Sequence, residues 1–189
     1  MGLLSIIKKQ KLKDRESRCL VLGLDNSGKS TVVDWILASY KNRPRQLVTP
    51  TVGFQIHTVP FQNHSVQLWD IGGQSTLRPY WDNYFDKTDV LLWVIDAAAA
   101  ARLGESVDEL KTILQNRDRL GYNCRIIVLV NKKDLVADLD PVIVRLKTDL
   151  SEMLKLENVP IEVCPTSALT GDGLDGLMPM IVEKSARKL

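Results

Sequence analysis

The chain lacks most of what would mark a membrane, secreted or metal-cluster protein. No apolar run in its 189 residues approaches the roughly 18 that a transmembrane helix needs. The apolar stretch Leu3 to Ile7 is shorter than a secretory core of about 7–15 residues. Three cysteines, Cys19, Cys124 and Cys164, are odd in number and far apart, which fits thiols in a reducing, cytoplasmic setting better than a disulfide framework. Neither they nor the two histidines, His57 and His64, stand at zinc-ligand spacing. There is no glycine period and no sustained heptad. With 44% hydrophobic residues and a net charge of +2, disorder is excluded as well.

Charge is unevenly placed. Residues 1–18 carry six lysines and arginines against two carboxylates, a net +4 that leaves −2 on the rest. A near-neutral body lacks the broad basic face of a nucleic-acid binder, so no nucleic-acid partner is expected. The basic arm suits either contact with an anionic surface or a solvated lead-in. Within it, residues 2–11 read as a short amphipathic helix with Leu3, Leu4, Ile6 and Ile7 on one face and Lys11 ending the stripe. Two turns are too few to be stable alone, so the piece must fold onto the body, a partner or a membrane. The organisation expected is an N-terminal helix and lead-in over 1–17, then one domain over 18–189.

Apolar patterning places strands at 19–24, 52–59, 65–71, 91–97, 125–131 and 160–165. Helices are expected near 29–40, 104–119, 141–155 and 173–187. The pair 52–59 and 65–71, around the turn at Gln62-Asn63-His64, reads as an antiparallel hairpin. Strands alternating with helices indicate an α/β domain: a mainly parallel six-stranded sheet with one antiparallel edge strand and helices on both faces.

Directly after the first strand stands Gly23-Leu24-Asp25-Asn26-Ser27-Gly28-Lys29-Ser30, the pattern of a phosphate-binding P-loop. Its glycines let backbone N–H groups of Asp25, Asn26 and Ser27 turn toward phosphate oxygens, and the helix start through Thr31 adds its positive end. Lys29 supplies a charge to the β- and γ-phosphates, and Ser30 a hydroxyl for Mg²⁺. Asn131-Lys132-Lys133-Asp134 ends a central strand. Asp134 there can accept from N1–H and the 2-amino group of guanine, donors that adenine lacks, and the Lys132 stem can lie over the purine. After the last strand, Ser167 and Ala168 are further candidates, with the Ala168 N–H donating to guanine O6. Asp70-Ile71-Gly72-Gly73-Gln74 offers Asp70 to Mg²⁺ through water, the Gly73 N–H to a γ-phosphate, and Gln74 to the attacking water. Thr51, on a loop, could complete the Mg²⁺ shell when a γ-phosphate draws it in.

These elements, in this order, resemble the Ras-like small GTPases. Trp69-Asp70-Ile71-Gly72-Gly73-Gln74, Pro50-Thr51-Val52-Gly53-Phe54, Leu24-Asp25-Asn26 and the stretch Leu77 to Phe85 are similar to the ADP-ribosylation-factor branch. The resemblance implies a monomeric GTP/GDP switch with Mg²⁺, slow alone and accelerated about 10³–10⁵-fold by an activating protein, with a separate exchange factor. The start, Met1 to Lys9, most resembles Arf-like members that act with tubulin-folding cofactors and release lipidated cargo from prenyl-binding carriers. Those two roles are the expected partner classes, with a membrane-trafficking role as a third reading. The expected location is the cytoplasm, with the cytoskeleton.

Departures refine this. Myristoylation of Gly2 would want Ser or Thr at position 6, where Ile stands, so weak or no direct membrane attachment is expected. The Ala97–Ala101 run replaces a stretch that is polar in relatives. It is expected to lie away from the nucleotide motifs and to bear on a helix cap or partner contact. Large aromatics at Tyr80, Trp81, Tyr84 and Phe85 are expected to divide between core and effector surface.

The family's mechanism implies that GTP shifts the 52–71 hairpin along the sheet and evicts the N-terminal helix. Hydrogen exchange of residues 2–11 should then be slower with GDP than with a GTP analogue; equal protection would refute the coupling.

Overall fold

The computed structural model describes residues 15–115, 119–120, 124–157 and 161–183, with the backbone alone for 152–157. The helix expected over 2–11 lies outside these residues, as does the end of the helix expected over 173–187. The strands are β1 (Glu16–Leu22), β2 (Phe54–Phe61), β3 (His64–Ile71), β4 (Val90–Asp96), β5 (Arg125–Asn131) and β6 (Ile161–Pro165). The helices are α1 (Lys29–Lys41), α2 (Leu103–Gln115), α3 (Asp140–Glu157) and α4 (Leu177–Val182). The strands lie in the order β2-β3-β1-β4-β5-β6. Only β2 runs antiparallel, paired from Phe54↔Ile71 to Phe61↔His64. Among the described residues no helix is long and apolar enough to cross a membrane.

The central strands carry unbroken apolar runs, at Cys19–Leu22, Val90–Ile95 and Ile126–Val130, because each faces two layers of helix. Leu20, Leu22, Leu91, Trp93, Ile95, Ile126, Val128 and Val130 point to one face, where Val107, Leu110 and Leu114 of α2 and Leu146 and Leu150 of α3 cover them. The alternate residues Cys19, Val21, Leu92, Val94, Ile127 and Leu129 point to the other, against Val32, Val33 and Ile36 of α1 and Leu177, Met178 and Ile181 of α4. The three cysteines form no disulfide among the described residues, and burial pushes the Cys19 thiol up.

Several boundaries differ from the sequence reading. β1 starts at Glu16, so Glu16 and Ser17 pair with β3 instead of belonging to the lead-in. It stops at Leu22 because Gly23 turns with φ +143°, packed so closely on β4 that a Cβ would come within 2.2 Å of the Val94 carbonyl oxygen. The last helix starts at Leu177, four residues later than expected. There Gly173 holds φ +81° against the Pro165 carbonyl, a conformation outside helix geometry.

Residues 43–50, which lead from α1 toward β2, have no regular structure. They are tied down by Asp34 of α1. Its carboxylate accepts from Arg43 at 2.8 Å and Arg45 at 2.7 Å, and from the Gln46 N–H at 3.2 Å. Burial pushes this carboxyl up, but the bonds from Arg45, Arg43 and Gln46 outweigh it and hold it below the usual value. Asp34 therefore adds stability above the unfolded carboxyl pKa of about 3.9, and that stability is lost as pH falls through the lower folded value. Asp34→Asn should cost about 1–3 kcal/mol at neutral pH. Amide exchange over 43–50 should accelerate, and the stability gap to the parent should close in acid.

Candidate nucleotide site

The site forms where the ends of β1, β3 and β5 meet the loops that follow them. Gly28 caps α1 with φ +94°, and no side chain caps that helix. The N–H groups of Lys29, Ser30 and Thr31 thus have no intrahelical acceptor. They border a cavity of about 300 Å³ lined by Asp25, Asn26 and Gly28 to Thr31 on one side, and by Val48 to Thr51 and Gly72 to Gln74 on the other. Lys29 is buried beneath it. Its Nζ donates to the carbonyl oxygens of Gly23 at 2.9 Å and Leu24 at 2.7 Å. Burial lowers its pKa to about 8, against the raising effect of Asp70 and Asp25. A bound polyphosphate would supply the missing negative charge.

Three oxygen donors converge next to Lys29. The Ser30 hydroxyl donates to Asp70 Oδ2 at 2.5 Å and lies 2.8 Å from Thr51 Oγ1, which itself donates to the same carboxylate oxygen at 3.2 Å. Asp70 is 1% exposed, and its other oxygen, Oδ1, is buried with no hydrogen-bond partner among the described residues. Burial pushes the Asp70 carboxyl up, opposed by Ser30, Lys29 and Thr51. One carboxylate and two hydroxyls, with an orphaned acidic oxygen, fit Mg²⁺, which keeps waters and takes phosphate oxygens to complete its shell. Among the described residues there is no cluster of three or more His, Cys, Asp or Glu that would hold a cation unaided. Asp70 does not line the phosphate cavity. It borders a neighbouring one of about 170 Å³ that also reaches Ser30 and Thr51, a position suited to contact through water.

Gly73 closes the opposite wall. A Cβ there would come within 2.4 Å of the Gly23 oxygen and 2.5 Å of Lys29 Nζ. Only glycine lets this backbone lie against the phosphate loop, with the Asp25 N–H donating to the Gly73 oxygen at 3.1 Å. Gln74 follows it, exposed at the cavity rim.

The base-reading residues sit beside this cavity without lining it, and groups of three of them, Asn131, Ser167 and Ala168, are engaged within the protein. Asn131 is 1% exposed, and its amide is spent inside the protein. Its Nδ2 donates to the Ser27 oxygen at 2.9 Å, and its Oδ1 accepts the Ala168 N–H at 2.9 Å. Asn131 is therefore a strut between the phosphate loop and the last loop. The Ala168 N–H, expected to face guanine O6, is engaged by that strut. Ser167 is likewise occupied: its N–H donates to the Asp172 oxygen and its hydroxyl accepts the Thr170 N–H. Lys132 stands in the left-handed region (φ +63°) with Nζ 2.7 Å from Asp96 Oδ2. Asp134 is exposed on the 3₁₀ turn Lys133–Leu135, and no described residue bonds its carboxylate.

Some supporting residues escaped sequence reasoning. Arg45 donates to the Ala168 oxygen at 2.9 Å, joining the 43–50 loop to the base loop. Asp96 holds Lys132. Arg78 and Arg102 both grip Asp25 of the phosphate loop. The Ala97–Ala101 run is not remote, as expected, but adjacent. Ala99 lines a small cavity with Asp25, Asn26 and Ser27, and Arg102 follows the run directly. An ion-pairing arginine after a run of alanines carries no motif, and only the fold brings it to the loop. The four aromatics divide as expected. Trp81 and Phe85 are core, Tyr80 is 60% exposed, and Tyr84 is half-buried between Phe54 and Trp69.

The chain matches the model of the ADP-ribosylation factor family over residues 3–185. It is 38% identical to ADP-ribosylation factor-like protein 2 of Drosophila melanogaster over 100% of this chain and 98% of that one. Against ADP-ribosylation factor-like protein 2 of Arabidopsis thaliana it is 40% identical over 92% and 90%. Against ADP-ribosylation factor-like protein 3 of Chlamydomonas reinhardtii the figures are 42%, 92% and 93%. In fold it is similar to the Arl6 BBS3 small GTPase from Trypanosoma brucei with bound nucleotide analogue GppNp, at a TM-score of 0.70 and 24% identity, covering 90% of this chain and 99% of that one.

The lowered Lys29 pKa generates a test. Nucleotide phosphates favour the charged ammonium, so binding takes up a proton wherever free Lys29 is neutral, above about pH 8. Affinity for GTP should fall as pH rises past that point, by up to about tenfold per unit. Calorimetry in buffers of different ionisation enthalpy should show proton uptake at alkaline pH and almost none at neutral pH.

Proposed function

Because the chain belongs to the ADP-ribosylation factor family, it binds GTP and GDP with Mg²⁺ and hydrolyses GTP, and we propose that this switch regulates tubulin folding and microtubule biogenesis through tubulin-folding cofactors. The observation that carries the switch is the convergence of Ser30, Thr51 and Asp70, which joins a loop residue to the metal site. In our reading Lys29 and the first N–H groups of α1 hold the phosphates, and Ser30 and Thr51 coordinate Mg²⁺ with Asp70 behind a water. Gly73 offers its N–H to the γ-phosphate, Gln74 orients the attacking water, and Asp134 reads guanine. Loss of the γ-phosphate leaves Thr51 with only Ser30 and Asp70, so the 47–53 segment beyond the Asp34 ties relaxes and β2 is free to move.

The tubulin assignment is supported by the Met1 to Lys9 segment and by likeness to two Arf-like 2 proteins along nearly the whole chain. The likeness to an Arf-like 3 protein favours a second reading, GTP-dependent release of lipidated cargo from prenyl-binding carriers. A trafficking role is disfavoured by Ile6 at the position where acylation wants Ser or Thr. The protein works as a monomer in the cytoplasm, close to the cytoskeleton, with an activating protein and an exchange factor.

Affinity capture from cell lysate decides between these readings. Gln74→Leu protein loaded with GTP is compared with GDP-loaded parent, and the captured proteins are identified by mass spectrometry. Tubulin cofactors or tubulin should dominate. Lipid carriers captured only with GTP would give the lead to cargo release. Coat proteins alone would overturn both readings while leaving the GTPase intact.

A further inference from the structure

We propose that Arg78 is a positioning residue for GTP hydrolysis: its guanidinium clamps the Gly73–Gln74 peptide onto the phosphate loop and so presents Gln74 to the attacking water. Arg78 opens the 3₁₀ helix Arg78–Tyr84, four residues after Gln74. Its side chain is 10% exposed, although it lies near the surface. Its Nε donates to the Gly73 carbonyl oxygen at 3.2 Å. That oxygen also accepts the Asp25 N–H at 3.1 Å. Both lone pairs are thus committed, and the plane of the Gly73–Gln74 peptide is set. The Gln74 side chain is exposed and makes no hydrogen bond to a described residue, so its direction follows from its backbone.

The far end of the guanidinium is anchored in α2. Its Nη1 lies 2.8 Å from Glu105 and 3.0 Å from Glu109, and its Nη2 3.5 Å from Asp25. Arg102 completes the ring of charge, with Nη2 2.8 Å from Asp25 and Nε 3.0 Å from Glu105. Negative and positive groups alternate from the phosphate loop to α2, and Arg78 is the member that also reaches the peptide before Gln74. A planar fork can do this because its nitrogens point in fixed, separate directions, whereas a lysine ammonium keeps the charge without spanning both ends. The clamped carbonyl belongs to the peptide after Gly73, while the N–H offered to the γ-phosphate belongs to the peptide before it. Losing the clamp should therefore spare nucleotide binding and disturb the placement of Gln74.

The test uses the full chain carrying Arg78→Gln, Arg78→Lys or Glu109→Gln, with Gln74→Leu for reference. Single-turnover GTP hydrolysis, unassisted and with an activating fraction of cell extract, is compared with GDP release. Both Arg78 variants should lose about 10–100-fold in hydrolysis in each condition, the scale of a small misplacement of a reacting group. Glu109→Gln should move in the same direction by less, and GDP release should stay at the parent rate. Hydrolysis at the parent rate in Arg78→Lys would overturn the clamp, as would GDP release that accelerates in step with the loss of hydrolysis. Loss of the stimulated rate alone would also overturn it, since Arg78 would then be a partner contact. If Arg78→Gln fails to fold, Arg78→Lys and Glu109→Gln decide the question.

Discussion

Asp70 is a carboxylate that the fold buries with one of its oxygens unpaired among the described residues. Its position is fixed by strand pairing: β3 runs between β1 and β2, with Val21 opposite it on one side and Gln55 on the other. One oxygen takes two hydroxyl bonds and the other takes none. Burying an acidic group so poorly paired is costly, which is why its proton affinity rises. A hard cation such as Mg²⁺ beside Asp70 would supply a partner for the unpaired oxygen. Thr51 shares the Asp70 carboxylate but sits on an irregular loop, so the loop is tied to the buried acid at this residue. Asp34 ties residues 43–46 to α1 independently of that carboxylate.

Everything around that carboxylate is held by internal ties, so that binding a nucleotide does not have to order the whole site. Asn131 joins the phosphate loop to the base loop through Ser27 and Ala168. Arg45 joins the base loop to the 43–50 segment, and Asp34 fixes that segment to α1. Asp96 holds Lys132 next to Asp134. These bonds link the three loops in a ring outside the phosphate cavity. The loops around the candidate base site are accordingly tied to one another, with Asp134 exposed beside them.

The sheet was legible because it is a matter of period and burial. The unbroken apolar runs at Leu91 to Ala97 and Arg125 to Asn131 announce strands covered on both faces, and the alternation around Gln62 announces the hairpin. The residues that converge at the candidate phosphate and metal site could be picked out because each occupies a fixed offset from a strand end, where backbone geometry leaves few residue types. Boundaries were harder to read: Gly173 stops a helix from starting through a backbone angle and a contact with Pro165 that composition does not express. Hardest of all were residues whose role is to hold others. Asn131 belongs to the Asn-Lys-x-Asp pattern, but that its amide is a strut between Ser27 and Ala168 is not written in the pattern. Arg78 lies far in sequence from Arg102 and Glu105, and only the fold brings the three together at the phosphate loop.

The Ala97–Ala101 run shows how this division of labour shapes what the chain can tolerate. Five alanines after β4 offer no side-chain cap to the turn at Ala100–Arg102. The turn is held instead from outside the run. Asp96 Oδ1 accepts the Ala98 N–H at 2.9 Å while its other oxygen holds Lys132. At the far end Arg102 binds both the carboxylate and the backbone oxygen of Asp25. A polar stretch here would add its own bonds, but the anchoring groups lie at the two ends. The turn can lose its polar residues and still carry Arg102 to the phosphate loop, because alanine is compatible with the backbone and the two charged end groups supply the geometry.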